Sequence, residues 1–225
     1  MYDNNYLPPI VTSDSVIFQL IDSVLHVLLI ERTTEPFKGM WALPGGYIAA
    51  GETTKEAMER ILKAKAGVQQ KDLRLVQQLY TFDTVARDPR GHAISVTYMG
   101  LGKDITPTGS DTTQHPQFFP ITDLPTLAYD HAEIIHYAHT RIQAKITYTN
   151  AIFSLLEPHF TLSQLQAAYE AVFCRPLDKR NFRKKFLSLN LIQPTSELYQ
   201  EGAHRPAKLY KFNTAGLETL ARSFD

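Results

Sequence analysis

The chain has 225 residues, a formal net charge of zero at pH 7, a single cysteine and an ordinary apolar share of 44%. That length holds one large domain or two modest ones, each with a workable core. The lone Cys174 excludes an internal disulfide and a cysteine-based zinc site. The longest apolar run, Val24 to Ile30, has a strand's length and falls far short of a membrane span. The opening MYDNNYLPPIV lacks the basic segment of a secretory leader. The expectation is a folded cytoplasmic protein with no membrane attachment.

Ser15 to Ile21 and Val24 to Glu31 are apolar, β-branched-rich runs separated by Asp22-Ser23, the pattern of a hairpin. The stretch TTEPFKGMWALPGG reads as a loop. Thr53 to Ala66 holds no Gly or Pro and reads as a helix, with Thr53 or Thr54 as its cap and Gly67 as its stop. Leu73 to Phe82 and Ile94 to Leu101 are further strands, joined by the charged turn DTVARDPRGH. Lys103 to Pro116 reads as a surface loop, and His131 to Ile146 as a helix with Ile134, Ile135, Ala138 and Ile142 along one stripe.

Beyond Thr147 the character changes. Asn150 to Leu156 reads as a short helix, and Thr161-Leu-Ser-Gln164 as a capping box that opens another. After a break at Arg175-Pro176, Leu177 to Leu189 forms a third helix. An extended stretch from Leu191 then turns back into the alternating Ala207 to Phe212. Helix, helix, turn, helix, hairpin is the order of a winged helix. The expected division is residues 1–146 and 147–225, with the helix before the join as connector. The zero net charge hides an asymmetry across that join. Residues 1–146 hold 13 Lys and Arg against 16 Asp and Glu, whereas residues 147–225 hold 10 against 7. Between Arg175 and Lys211 the count is 9 against 3, which points to an anionic partner for one face.

Gly46-Tyr-Ile-Ala-Ala-Gly-Glu52, followed by Arg60, Leu62 and Gly67-Val68, resembles the Nudix box, and the preceding Trp41-Ala-Leu-Pro-Gly-Gly46 is typical of the same family. The resemblance implies an α/β/α sandwich around a mixed sheet. It also implies a phosphate site where a glycine-rich loop runs into a helix N-terminus. In active members the glutamates of that helix gather divalent cations that neutralise a diphosphate and activate water. Here the three positions expected to be Glu are Ile61, Ala64 and Lys65. At about 100° per residue, Glu59 points opposite to Ile61, and Glu56 lies well off the face formed by the three positions. Glu52 remains, but one carboxylate makes a poor metal site. The expectation is therefore no metal, no catalytic residue, and hydrolysis absent or residual. Ligand binding is still open to the pocket. The resemblance places Arg32, Phe37, Gly45, Gly46, Glu52, Arg87, Arg90 and His131 along its border. Arg suits bidentate phosphate contact and Phe suits ring packing. Arg87 and Arg90 could equally be turn charges pairing Asp88, and Phe37 could be core.

In the third helix of the C-terminal part, Phe182, Phe186 and Leu189 share the core side, so Lys179, Arg180, Asn181, Arg183 and Lys184 fall largely on the other. That is the arrangement of a recognition helix, with His204, Arg205 and Lys208 as wing contacts to phosphates. A Nudix-like domain joined to LDKRNFRKKFLSLNLIQPT and GAHRPAKLYKF is similar, over essentially the whole chain, to the Nudix-related bacterial transcriptional regulators of NAD metabolism. The resemblance implies a homodimeric repressor on a palindromic operator, with ADP-ribose as the nucleotide effector that releases it. Sister regulators of sugar catabolism share the architecture. Two other readings stand beside it: a Nudix hydrolase with an unusual metal site, and a binding module whose basic domain contacts protein.

Overall fold

A computed structural model describes residues 7–109, 115–200 and 206–220. β1 (Ile10–Ile21) and β2 (Val24–Glu31) pair as the expected hairpin, with Ile21 opposite Val24. Asp22 and Ser23 both take positive φ, 49° and 61°, the sense of turn that matches the twist of two-residue hairpins. β1 starts at Ile10, five residues before the expected Ser15, because its polar first half runs parallel to β6 (Ala93–Gly102). β6 pairs antiparallel with β5 (Leu73–Phe82) on its other side. Three short strands complete a mixed seven-stranded sheet: β3 (Trp41–Ala42) and β7 (Gln117–Pro120) on β2, and β4 (Gly45–Tyr47) on β1. Two of them lie within the stretch expected to be plain loop. Runs of two to four residues carry no local periodicity, and their neighbours alone make them strands.

Alternation along the central strands sorts the two faces. Ile17, Leu28 and Tyr98 point to α1 (Thr54–Ala66), where they meet Met58, Leu62 and Ala66. Val16, Phe18, Val27, Leu29 and Met99 point the other way, to α2 (His131–Tyr148) and its Ile134, Ile135, Ala138 and Ile142. This is the expected α/β/α sandwich. α1 begins and ends as read from the sequence. Thr53 and Glu56 form a capping box at one end, and Gly67 adopts φ 67° at the other.

α2 runs unbroken through residue 146 to Tyr148. Next comes the expected short helix, Ala151–Leu155, which is of the 3-10 kind. Its amides reach back three residues, Phe153 to Asn150 and Leu156 to Phe153, and Pro158 stops continuation. β8 (Phe160–Thr161), α3 (Leu162–Phe173), α4 (Lys179–Ser188), β9 (Ile192–Tyr199) and β10 (Ala207–Phe212) complete a winged helix, with β10 central in a three-stranded sheet. α4 is shorter than the expected 177–189. The Leu177 amide donates to the Glu170 carboxylate, and Asp178 caps the helix by accepting from the Asn181 amide at 2.7 Å.

One apolar cluster runs through both parts. It joins Val16, Phe18 and Met99 of the sheet to Ile152, Leu155, Leu165, Tyr169, Phe182 and Phe186. Polar contacts follow the same seam. His139 and Gln143 of α2 bond the Val172 carbonyl of α3 at 2.7 and 3.0 Å, Tyr169 donates to the Ile146 carbonyl, and Lys103 pairs with Glu157 at 2.6 Å. Among the described residues, no helix is long and apolar enough to cross a membrane.

Candidate functional site

A cavity of about 420 Å³ opens between β1, β4 and the C-terminal half of α1. Gly45 and Gly46 lie in its wall, where lack of a Cβ is a packing requirement. A Cβ on Gly45 would stand 1.6 Å from Asp14 Oδ1, and one on Gly46 would press Ile61 Cδ1 at 3.3 Å. Ile61, Ala64 and Lys65 all face the cavity, so the three box positions share one helix face aimed at one space. Glu56 and Glu59 do not reach it. Glu56 is spent in the capping box, and Glu59 pairs with Lys55 at 3.7 Å.

Glu52 lies outside the lining as well. Arg60 grips it with two hydrogen bonds and also donates to the Tyr47 carbonyl at 3.0 Å, strapping the loop to α1. The Arg60 hydrogen bonds hold the Glu52 carboxyl down at about 2, and the Ala49 amide adds to the effect. Phe37 also falls away from the expected border. It takes φ 67°, meets Tyr129 edge-on at 4.8 Å, and packs with Ile30, Met40, Ala42 and Ala128. It supports the wall from behind.

Arg32, Arg87, Arg90 and His131 do line the cavity. Arg87 is almost fully buried and forks onto Asp130 at 2.8 and 2.7 Å, with Asp14 at 3.7 Å. Its partner is thus the cap of α2 and not the adjacent Asp88, which Arg90 takes instead at 3.0 and 2.6 Å. That contact holds the Asp88 carboxyl below its usual range. Arg32 donates to the carbonyls of Pro36 and Thr34, at 2.9 and 3.2 Å, and lies over the Tyr129 ring at 4.8 Å. The buried His131 accepts the Leu43 amide at Nδ1, 2.9 Å away, and burial pushes its pKa down, so the ring is neutral. Sequence reasoning missed Tyr47, Tyr129, Thr12 and Asp14, which also line the cavity. Tyr129 has φ 55° in the turn before α2, and no residue pattern there signals a site.

The donor set is poor in free carboxylate for a divalent cation, which takes oxygen ligands. The lining offers Asp14 and Asp88, both already held, Asp14 by Ser95 and Arg87, Asp88 by Arg90. Among the described residues no three His, Cys, Asp or Glu side chains converge to hold a metal. Five cationic side chains, those of Arg32, Arg60, Lys65, Arg87 and Arg90, line the same space. Its chemistry is that of an anion site.

The second candidate surface is the outer face of α4. Phe182 and Phe186 are buried against Tyr169, leaving Lys179, Arg180, Asn181 and Lys184 exposed. Arg183 lies lower on the helix, half-buried and donating to Ser163 Oγ of α3 at 3.1 Å. Lys208 is exposed on β10. His204 and Arg205, expected in the wing, lie outside the described residues.

Residues 12–138 match the NUDIX domain, and residues 152–212 match the NrtR DNA-binding winged helix domain. Along 214 residues the chain is 30% identical to a protein of Acinetobacter baylyi named ADPR responsive transcriptional repressor NtrR, covering 93% of this chain and 84% of that one. This chain belongs to the NrtR family of Nudix-related regulators. The crystal structure of Shewanella oneidensis NrtR complexed with a 27mer DNA superposes on it with a TM-score of 0.80 at 30% identity, covering 96% of this chain and 99% of that one. The NUDIX domain of the same Shewanella protein complexed with ADP ribose covers 63% of this chain and 94% of its own, with a TM-score of 0.57 at 31% identity. The Nudix half of this family member has another kind of relative. An ADP-ribose pyrophosphatase of Methanocaldococcus jannaschii is 38% identical over 132 residues, 58% of this chain and 73% of that one.

Proposed function

We propose that this protein is a homodimeric transcriptional repressor of NAD metabolism, whose Nudix domain binds ADP-ribose and thereby loosens its grip on a palindromic operator. Superposition of nearly the whole chain on a DNA-bound relative carries the reading. The cationic cavity and the basic face of α4 supply the two binding surfaces. The effector part extends to residue 146 and the DNA-binding part begins at 147, within the cytoplasm. Arg87 and Arg90 meet the nucleotide, and α2 links the two ends. Its cap Asp130 is held by Arg87 at the cavity, and its middle is bonded to α3. Hydrolysis is absent or residual, because Ile61, Ala64 and Lys65 occupy the wall where metal-binding carboxylates would have to stand.

The test is binding of the full chain to DNA upstream of its own and neighbouring genes, at fixed salt, with and without ADP-ribose. Specific binding released by ADP-ribose is the expected result. Its affinity should fall steeply with salt, and DNA should weaken ADP-ribose binding by the same factor that ADP-ribose weakens DNA binding. Specific binding that ignores ADP-ribose would discard the effector, and no specific DNA binding would discard the repressor. The Methanocaldococcus relative favours a second reading, hydrolysis of ADP-ribose. Metal-dependent turnover that vanishes in Glu52→Gln would establish it.

A further inference from the structure

Counting the cavity's charges against their partners separates its cations into two kinds. Arg60 is matched by Glu52, Arg87 by Asp130, and Arg90 by Asp88. Arg32 and Lys65 meet only neutral acceptors. Arg32 donates to two backbone carbonyls, and the half-buried Lys65 ammonium donates to the Gly45 carbonyl, with no carboxylate in ion-pair range of either among the described residues. Burial pushes the Lys65 pKa down, and the charges of Arg32 and Arg90 push it further, while Asp14 opposes. Asp14, in the same lining, lies 3.7 Å from Arg87, so five cations face four carboxylates, and one positive charge stands in excess in a small, partly desolvated space. That arrangement costs free energy until an anion arrives. Both keep donors in reserve: an ammonium has three N–H groups and a guanidinium five, of which one and two are engaged.

A diphosphate diester carries two negative charges, and Lys65 and Arg32 are two lining cations that bond backbone carbonyls rather than a carboxylate. We propose that Lys65 and Arg32 together neutralise the diphosphate of the ligand directly, so that it binds without any divalent cation. The position is specific. Lys65 shares its helix face with Ile61 and Ala64, so an ammonium stands where that face would otherwise carry a carboxylate toward a metal. Lys suits the task, being a compact point charge on a stem that spans the wall. The inference rests on the ADP-ribose reading for its natural ligand, but its chemistry concerns any diphosphate.

The experiment is calorimetric titration of the full chain with ADP-ribose and, separately, with inorganic pyrophosphate, each in EDTA and in excess Mg²⁺. For the wild-type protein the affinity for ADP-ribose should be the same in both buffers within about twofold. Lys65→Met should lose about 10- to 100-fold in both, the scale of a charge-assisted contact, and Lys65→Arg should recover most of it. Lys65→Met should also melt no lower than wild type, since it removes an uncompensated charge. A lysine with a merely structural role would show the opposite. Loss of wild-type binding in EDTA, or Lys65→Met binding as wild type does, overturns the proposal. If ADP-ribose fails to bind but pyrophosphate binds in EDTA and depends on Lys65, the effector reading falls and the metal-free site stands. If neither anion binds the wild-type protein, both fall.

Discussion

His131 enters the cavity wall as a neutral ring, buried and accepting the Leu43 amide, with Asp14 and Asp130 favouring its charged form and Arg87 and Arg32 opposing it. Burial wins, so its folded pKa lies below the ordinary 6.5. A lowered pKa means stability that is full above the unfolded value and lost as pH falls through the folded one. Below pH 6.5 the unfolded chain takes up a proton that the native ring refuses, and stability drops by up to about 1.4 kcal/mol per pH unit. Denaturant titrations between pH 7.5 and 5.5 should show this slope in wild type and a shallower one in His131→Asn. His139, shifted down by burial as well, contributes equally to both proteins. Identical slopes would count against a neutral His131. At this scale residue types were legible in the sequence and their partners were not. Arg87 reaches Asp130, 43 positions away, rather than its neighbour Asp88, and Phe37 supports the wall instead of lining it. Such pairings depend on where the chain returns in space, which local spacing does not encode.

α1 is the element that sequence and structure describe most alike. Cap, length and stop all agree, because capping chemistry and helical period act within a few residues of each other. Its stop also does a tertiary job. Gly67 has φ 67°, and a Cβ there would lie 1.9 Å from Thr108 Oγ1. Gly67→Ala should therefore destabilise the protein by more than about 1–2 kcal/mol, the cost of the left-handed conformation alone, as read from chemical denaturation. A change under half of that would show that the Thr108 segment yields freely. The Ile61, Ala64 and Lys65 face of α1 was equally legible, since helical geometry fixes which residues point together. The target of that face was not, because it depends on β1, β4 and the turn before α2. β3, β4 and β7 were hidden for the same reason, as strands defined by partners rather than by period.

At the level of the whole molecule, a two-part chain is held by one core. Leu43 of the cavity wall belongs to the same apolar cluster as Phe182 and Phe186 behind α4. Thermal unfolding should accordingly be one transition. Fluorescence of Trp41, the only tryptophan, and hydrogen exchange of α4 amides should give the same midpoint. A bound effector should raise both together by mass action. Two separate midpoints would mean that the winged helix folds on its own and that the seam along α2 and α3 is weak. The sequence by itself determined the order of elements, the capping of α1 and α3, the Nudix-like box with its substituted positions, and the basic face of α4. All of these are periodic or local patterns, set by backbone geometry within a turn or two. Only the tertiary structure decided that Tyr47, Tyr129, Asp14 and Lys65 share one cavity, that Lys65 and Arg32 bond carbonyls there rather than a carboxylate among the described residues, and that the cavity and the winged helix rest on a common core. Burial and charge pairing are properties of surfaces that meet, and surfaces meet only after the chain has folded.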